Sequence, residues 1–559
     1  MNQRKWLITS LFCVILGITS ILRITNIADN PPSLSWDEVG IGYNAYSILK
    51  TGHDEHGKFL PIDTFVSYGD YKPPLAIYLT VPSIFVFGLN EFGVRFPSAL
   101  AGIIAVALMF FVTKELLTSV STKDTSFPFM PFLAMLLFAS SPWHVNLSRA
   151  GWEANIGLTL LLTGVYLALR ARRDPRLICL IPIPFVLSVY TFNSTRYVAP
   201  LLAAGLLFYG WNEYKKHIVL GLMACAIGAA LMLPIVPHLL SKEARLRFTE
   251  VNIFTDQSVV ITSNARVVAS TNPVTRFFSN RRVGYTMSFV KHFFDHLDAS
   301  YLFMYGDGNP KFSTRSVGEL YMFEAPFIVI GLIALLAGFR SVGLLMLYWL
   351  IVSLIPASVA RETPHALRTI NSLPVWELFS AFGIYTTLVG IWTWSRSIHA
   401  KSPSVRAAGA YVFACAVIVI GSIYLVSVVK YVYNYHVHYA KEYAGEWQYG
   451  YKQALAAIPH FDTGKEPIFI SEKIGRAYMY MLFYTQYDPT RFRNEKKSYF
   501  DDAGFYHVTG FGRYVFGTVP EKLPQGSLVI LPPEQRPGVT PLETIVMPNG
   551  VPILALYRE

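Results

Sequence analysis

Eleven apolar stretches, nearly free of charge at their centres, govern what this chain can become. They cover approximately residues 6–25, 96–117, 127–142, 154–170, 177–192, 197–211, 218–239, 321–339, 341–357, 372–394 and 407–429. A run of about 20 apolar residues crosses a bilayer as a helix, which satisfies its own backbone hydrogen bonds where no water can. The sequence therefore predicts a mainly α-helical, polytopic membrane bundle of about 11 transmembrane helices. Composition agrees, because only 15% of the 559 residues are charged, against about 25% in a soluble chain. The first run follows Arg4 and Lys5 without a small-x-small cleavage site, so it reads as an uncleaved first helix. The fifth and sixth runs are short enough to be bent or partly re-entrant. A further stretch, 75–89, contains Pro82 and reads as a helix lying at the interface.

Lysine and arginine orient the bundle. With the N-terminus cytoplasmic, the inner loops hold Lys123, then Arg170, Arg172, Arg173 and Arg176, then Lys215 and Lys216, then Arg340, then Arg396, Lys401 and Arg406. An odd number of spans puts the C-terminus outside, with Lys430 a mild exception to the pattern. The formal charge of +11 is then that of membrane anchors rather than of a nucleic-acid surface, since no long basic run occurs. The cysteines Cys13, Cys179, Cys225 and Cys415 all lie in apolar runs and form no CxxC pair, which argues against a disulfide framework or thiolate metal site.

Two parts follow. Residues 1–430 form the transmembrane domain, with long outer loops at 26–95 and 240–320, and residues 431–559 form a small α/β extramembrane domain outside. The tail predicts a helix over 440–458, β-type runs at Ile468–Ile470 and Ser527–Leu531, and a hairpin from Leu542 to Tyr557 turning at Asn549-Gly550. It has no glycine-rich nucleotide loop.

Polar residues concentrate at one face. Arg149, Arg196, Arg361 and Arg368 sit at predicted outer ends of spans, where positive charge is disfavoured. Each alone suits snorkelling to headgroups. Four together, with Lys72, suit a lipid phosphate. In the first outer loop, Ser35-Trp36-Asp37-Glu38 opens an amphipathic helix. There the two acids serve either as N-terminal caps or as a general base. Adjacent helical residues point about 100° apart, so Asp37 and Glu38 take different roles. Asp70-Tyr71-Lys72-Pro73-Pro74-Leu75 predicts an extended turn, because proline bars its predecessor Lys72 from helix. In the second loop, Asp307-Gly308-Asn309-Pro310 reads as a turn, and Arg315 as a helix anchor or part of a lid.

These motifs, in this order, resemble the GT-C glycosyltransferases that use lipid-linked sugars. The resemblance is closest to family 39, the protein O-mannosyltransferases and the lipid A aminoarabinose transferases. It covers roughly residues 1–430. The family's early Asp-Glu pair is matched by Asp37-Glu38, and its x-Pro-Pro-Leu segment by Lys72-Pro73-Pro74-Leu75. The Ser-Arg element with a following acid is matched by Ser148-Arg149 and Glu153. Segments 190–197 and 361–368, carrying Arg196, Arg361, His365 and Arg368, are similar to family outer-loop elements. Glu153 stands where the mannosyltransferases have Asp, and Lys72 where they have His.

The resemblance implies an inverting enzyme that moves a sugar from a polyprenyl-phosphate donor to an acceptor hydroxyl of protein, lipid or glycan at the outer face of the cell membrane. Catalysis is expected from Asp37, Glu38 and Glu153. Donor-phosphate binding is expected from Lys72, Arg149, Arg196, Arg361, His365 and Arg368. No cofactor is required, with room for a divalent ion held by Glu38, Glu153 or His365. Two alternatives stay open: a lipid-linked glycan transporter or flippase, and a polysaccharide polymerase or ligase. A transporter would place polar residues near the middle of several spans, which these runs do not.

Overall fold

The computed structural model describes residues 2–118, 129–241, 252–398, 403–462, 464–501, 505–520 and 522–559. Lys123 and Lys401 lie outside the described residues, as do the side chains of Arg396 and Arg406. The chain divides into two compact units. The first comprises Met1–Leu22, Ala101–Leu147 and Ala154–Val432, and the second Arg23–Leu100, Ser148–Glu153 and Tyr433–Glu559.

The first unit is helical. Among the described residues all eleven apolar runs coincide with helices, and seven helices are long and apolar enough to cross a membrane. These are Lys5–Ile24, Glu91–Thr118, Glu153–Ala171, Trp211–Leu239, Arg340–Ser358, Ala366–Ser395 and Gly409–Glu442. The other four runs form shorter apolar segments, Met130–Ser140, Pro175–Val189, Thr195–Tyr209 and Glu324–Gly338. At about 1.5 Å per residue, a helix of 15 residues such as Glu324–Gly338 falls short of the roughly 30 Å hydrocarbon core. That helix packs backbone to backbone on Leu373–Ile398. A Cβ on Gly331 would overlap the Phe379 carbonyl, and one on Gly383 would overlap that of Phe327, so small residues permit the approach. The described part of the loop expected at 240–320 contains the helices Gln257–Ala269, Pro273–Phe278 and Arg281–Asp295. Asp256, Asn272 and Asn280 cap them by accepting backbone N–H bonds.

The second unit centres on a mixed sheet. Its strands are β3 (Ile468–Ile470), β4 (Lys497–Phe500), β5 (Tyr506–Phe511), β6 (Tyr514–Phe516), β7 (Leu528–Leu531), β8 (Glu543–Val546) and β9 (Pro552–Arg558), after a separate hairpin of β1 (Phe65–Ser67) and β2 (Asp70–Lys72). The order is β4-β5-β6-β3-β7-β9-β8, with β3 parallel to both β6 and β7. The Asn549-Gly550 turn joins β8 and β9 as an antiparallel pair. The helix expected over 440–458 is broken: Gln448 and Gly450 adopt positive φ, and a new helix starts at Tyr451. Helix Ala477–Tyr484 is buried along almost its whole length and joins one apolar core with Tyr43, Phe65 and Ile77. That shared core explains why Arg23–Leu100 groups with the C-terminal residues. Gly42 lets helix Trp36–Thr51 approach, since a Cβ there would press on Phe483 and Val94.

Candidate active site

The second unit builds its acidic cluster on the first turn of helix Trp36–Thr51. Ser35 is the N-cap. Its hydroxyl accepts from the Glu38 backbone N–H, and Glu38 Oε2 accepts from the Ser35 N–H at 2.8 Å, forming a capping box. The Ser-x-x-Glu spacing carries this signal in the sequence. Glu38 Oε1 also accepts from Arg95 Nε and from the Gly151 N–H, each at 2.8 Å. Both side chains of the Glu38–Arg95 pair are fully buried. Arg95 further donates to the carbonyls of Ile27, Pro31 and Ser33, and its guanidinium lies 5.8 Å from the centre of the Trp447 ring. Every part of Glu38 is thus engaged in holding the segment before the helix, its cap and the Gly151 turn together. Sequence reasoning missed Arg95, an arginine at the head of an apolar run.

Asp37, one residue earlier, faces elsewhere. The ammonium of Lys72 lies 2.6 Å from Asp37 Oδ1, 3.5 Å from Asp70 Oδ2 and 3.6 Å from Glu153 Oε1. Lys72 ends β2, whose extended backbone follows from the two prolines after it. The hairpin turns tightly at Tyr68-Gly69, both at positive φ. Burial alone would lower the Lys72 pKa, but Asp37, Glu153 and Asp70 outweigh it and the net shift is upward. Lys72 therefore stays charged. Asp37 remains partly open to solvent, with 24% of its side chain exposed, in a helix first turn that favours a carboxylate. Glu153 opens helix Glu153–Ala171, and its Oε2 is buried without a hydrogen-bond partner among the described residues. Burial raises the Glu153 pKa, against the pull of Lys72. A partly exposed carboxylate beside a fixed cation can take a proton.

Arg149 is fully buried. Its Nη2 donates to the carbonyls of Thr25 and Asn30, each at 2.9 Å, and the guanidinium stacks 5.1 Å from the Tyr435 ring centre.

The remaining expected residues lie in the first unit. His365 Nδ1 is 3.8 Å from Asp307 Oδ2. Burial pushes its pKa well down, and Arg368 adds to this. Asp307 is raised to about 6 by burial. It accepts from the Ala366 N–H at 2.6 Å and the Asn309 N–H at 2.8 Å. The expected turn is thus also the brace of the His365 segment. Arg315 donates to the Asp307 carbonyl. Arg361 is exposed and donates to the Asn252 carbonyl and the Thr255 hydroxyl. Arg196 opens helix Thr195–Tyr209, where Ser194 accepts from Asn371.

Among the described residues, no group of three or more His, Cys, Asp or Glu is arranged to hold a metal ion. The acids expected to do so already have donors. Glu38 is engaged by Arg95, Ser35 and Gly151, and Lys72 stands among Asp37, Asp70 and Glu153. This arrangement does not fit a divalent ion on Glu38 and Glu153.

The family described as dolichyl-phosphate-mannose-protein mannosyltransferase matches residues 13–173. The putative mannosyltransferase YkcB of Bacillus subtilis (strain 168) is 28% identical over 239 residues, which cover 42% of this chain. The match spans only 31% of that relative's length. Among solved structures, ArnT from Cupriavidus metallidurans in the apo state superposes with a TM-score of 0.52 at 12% identity, covering 100% of this chain and 98% of that one. ArnT bound to undecaprenyl phosphate gives 0.51 at 12% identity, over 99% and 98%. The archaeal oligosaccharyltransferase AglB from Archaeoglobus fulgidus, in complex with an inhibitory peptide and a dolichol-phosphate, gives 0.51 at 13% identity, over 86% and 64%. Such identities speak to fold. Residues 13–173 thus resemble the mannosyltransferase family, and over its full length the chain has a fold similar to that of ArnT.

Proposed function

We propose that the protein transfers a sugar, with inversion, from a polyprenyl-phosphate donor to an acceptor hydroxyl on the outer face of the membrane. The observation that carries this reading is the Asp37–Lys72–Glu153 cluster, which falls inside the segment matched to the mannosyltransferase family. Undecaprenyl phosphate in ArnT and dolichol-phosphate in AglB support a lipid-phosphate donor.

Asp37 accepts the proton of the acceptor hydroxyl. The acceptor oxygen forms its bond to the anomeric carbon as the bond from that carbon to the phosphate oxygen breaks on the opposite face. The products are the glycosylated acceptor, protonated Asp37 and the polyprenyl phosphate. Lys72 neutralises charge on the departing phosphate. It is already in place, so no reorganisation is needed at the moment of reaction. Glu153, with one oxygen unpartnered among the described residues, orients the acceptor. Glu38 acts as a positioning residue through Arg95, and Arg149 as a clamp on the Thr25–Asn30 turn. Arg196, Arg361, His365 and Arg368 keep the donor phosphate as their proposed partner. No step is routed through a metal.

The charge pattern along one span supports the outer orientation. Helix Glu153–Ala171 begins at the acidic cluster. At its other end Arg170 and Arg173 pair with Glu115, and Arg172 pairs with Glu213. A basic end of this kind suits the cytoplasmic side.

Proteoliposomes holding the purified protein and a panel of labelled polyprenyl-phosphate sugars test the reading. It predicts consumption of one such donor without nucleotide sugar, with the sugar covalently attached to an acceptor. Donor that changes leaflet unconsumed would make the protein a flippase, and a strict need for nucleotide sugar would refute the donor class.

A further inference from the structure

The sheet of the second unit holds a cavity of about 700 Å³, lined by none of the residues assigned to transfer. Its walls come from the segments that follow the three parallel strands. Ser471 and Lys473 follow β3, Thr518 follows β6, and Gln535 and Arg536 follow β7. The strand order reverses about β3, since the chain places β6 on one side and β7 on the other. A crevice outside the carboxyl ends of parallel strands, at such a reversal, is where sheets of this kind bind ligands. Its volume is also typical of ligand pockets.

The lining defines the ligand chemistry. Lys473 and Arg536 supply positive charge, and Glu472 offsets part of it. The hydroxyls of Ser471 and Thr518 and the Gln535 amide supply hydrogen bonds, while Val519, Leu523 and Leu531 give an apolar wall. The loops are tied together: Ser471 donates to the Gln535 side-chain oxygen at 3.1 Å. Both cations have partial partners, Lys473 with Glu534 at 2.8 Å and Arg536 with Glu559. These pairs are partly solvent-exposed and therefore weak, so an anion can displace them. Arg536 stacks on Tyr557, and its Nη1 is buried without a partner among the described residues.

We propose that this cavity is a second binding site, separate from the transfer chemistry, that takes an anionic saccharide bearing a phosphate or carboxylate. The saccharide half rests on the glycosyltransferase reading, and the anion half rests on the cavity alone. A binding measurement involves no turnover, so its failure and the failure of the transfer reading are distinguishable.

The test uses the full-length protein in detergent, titrated calorimetrically with mannose 6-phosphate, methyl mannoside and inorganic phosphate. Mannose 6-phosphate should saturate, and each of the other two should bind at least about tenfold more weakly, since each lacks one half of the contacts. Lys473→Ala with Arg536→Ala should weaken mannose 6-phosphate at least about tenfold, and Glu534→Gln, which frees Lys473, should tighten it. Should the double variant fail to fold, Thr518→Trp narrows the cavity without touching a charge and should weaken binding as much. No saturable binding, affinity unchanged in these variants, or inorganic phosphate bound as tightly as mannose 6-phosphate would overturn the proposal.

Discussion

The Lys72 cluster of the second unit and the Asp307 cluster of the first balance acids and cations differently. In the second unit three carboxylates, Asp37, Asp70 and Glu153, surround the single ammonium of Lys72. In the first unit two buried acids, Asp307 and Glu319, lie with His365, Arg368 and Arg315, and Glu319 Oε1 accepts from the Asp307 N–H at 2.9 Å. An acidic set with one cation suits taking a proton, because it offers more carboxylate oxygens than the one ammonium can occupy. In the Asp307 cluster the guanidiniums of Arg368 and Arg315 supply the positive charge beside the buried acids, and guanidiniums suit holding an anion. The contrast motivates the proposal of acid–base chemistry for one sequence region and anion recognition for another.

The largest expected effect separates structure from chemistry within the acidic cluster. Glu38→Ala leaves Arg95 charged, buried and without its carboxylate, which costs about 3–5 kcal/mol. The folded fraction in detergent, measured by thermal unfolding, should fall sharply. Glu38→Gln with Arg95→Met should recover much of that loss; no recovery would mean that Glu38 does more than hold the turn. Lys72→Ala should keep the fold and lower kcat/KM for the lipid donor about 10²–10³-fold. A loss confined to acceptor KM would remove Lys72 from the phosphate. Arg368→Ala should weaken donor binding about tenfold and leave the pH profile unchanged. A shifted pH profile would place Arg368 with the proton-transfer groups and erase the contrast.

The smallest effect concerns Glu55. This carboxyl is fully buried, bonds Asn44 and Ser67, and is raised to about 8 by burial. The folded state therefore holds its proton more tightly than the unfolded chain. Its stabilising share is complete below the usual carboxylate range and declines as pH rises towards 8. Glu55→Gln should flatten the fall in melting temperature between pH 5 and pH 8 by a few degrees. A slope identical to that of the unaltered protein would contradict the buried, proton-holding environment.

Much of the fold was legible because it depends on local pattern. Long apolar runs became helices, Pro73 and Pro74 kept Lys72 extended, and Asn549-Gly550 turned the last hairpin. The segment expected as a loop over 240–320 contains three helices in its described part, hidden in the sequence because two of their caps, Asn272 and Asn280, are easily read as loop residues. The break inside 440–458 depends on positive φ at Gln448, a conformation no residue type announces there. For the candidate site, the sequence pointed to the acids and bases but not to their partners. Asp37 and Glu38 look alike in sequence. Their difference lies in Arg95 and Lys72, which arrive from distant segments. Asp307 read as a turn because its bond to the Ala366 N–H is a long-range contact.

The central claim is that Asp37 is the base of a sugar transfer. Single-turnover transfer from a saturating polyprenyl-phosphate sugar, compared between the unaltered protein and Asp37→Asn with donor binding measured in parallel, tests it most directly. The account predicts that Asp37→Asn binds donor within about twofold of the unaltered protein, yet transfers sugar at least about 10³-fold more slowly. Transfer at an unchanged rate, or a loss explained wholly by failed donor binding, would contradict it.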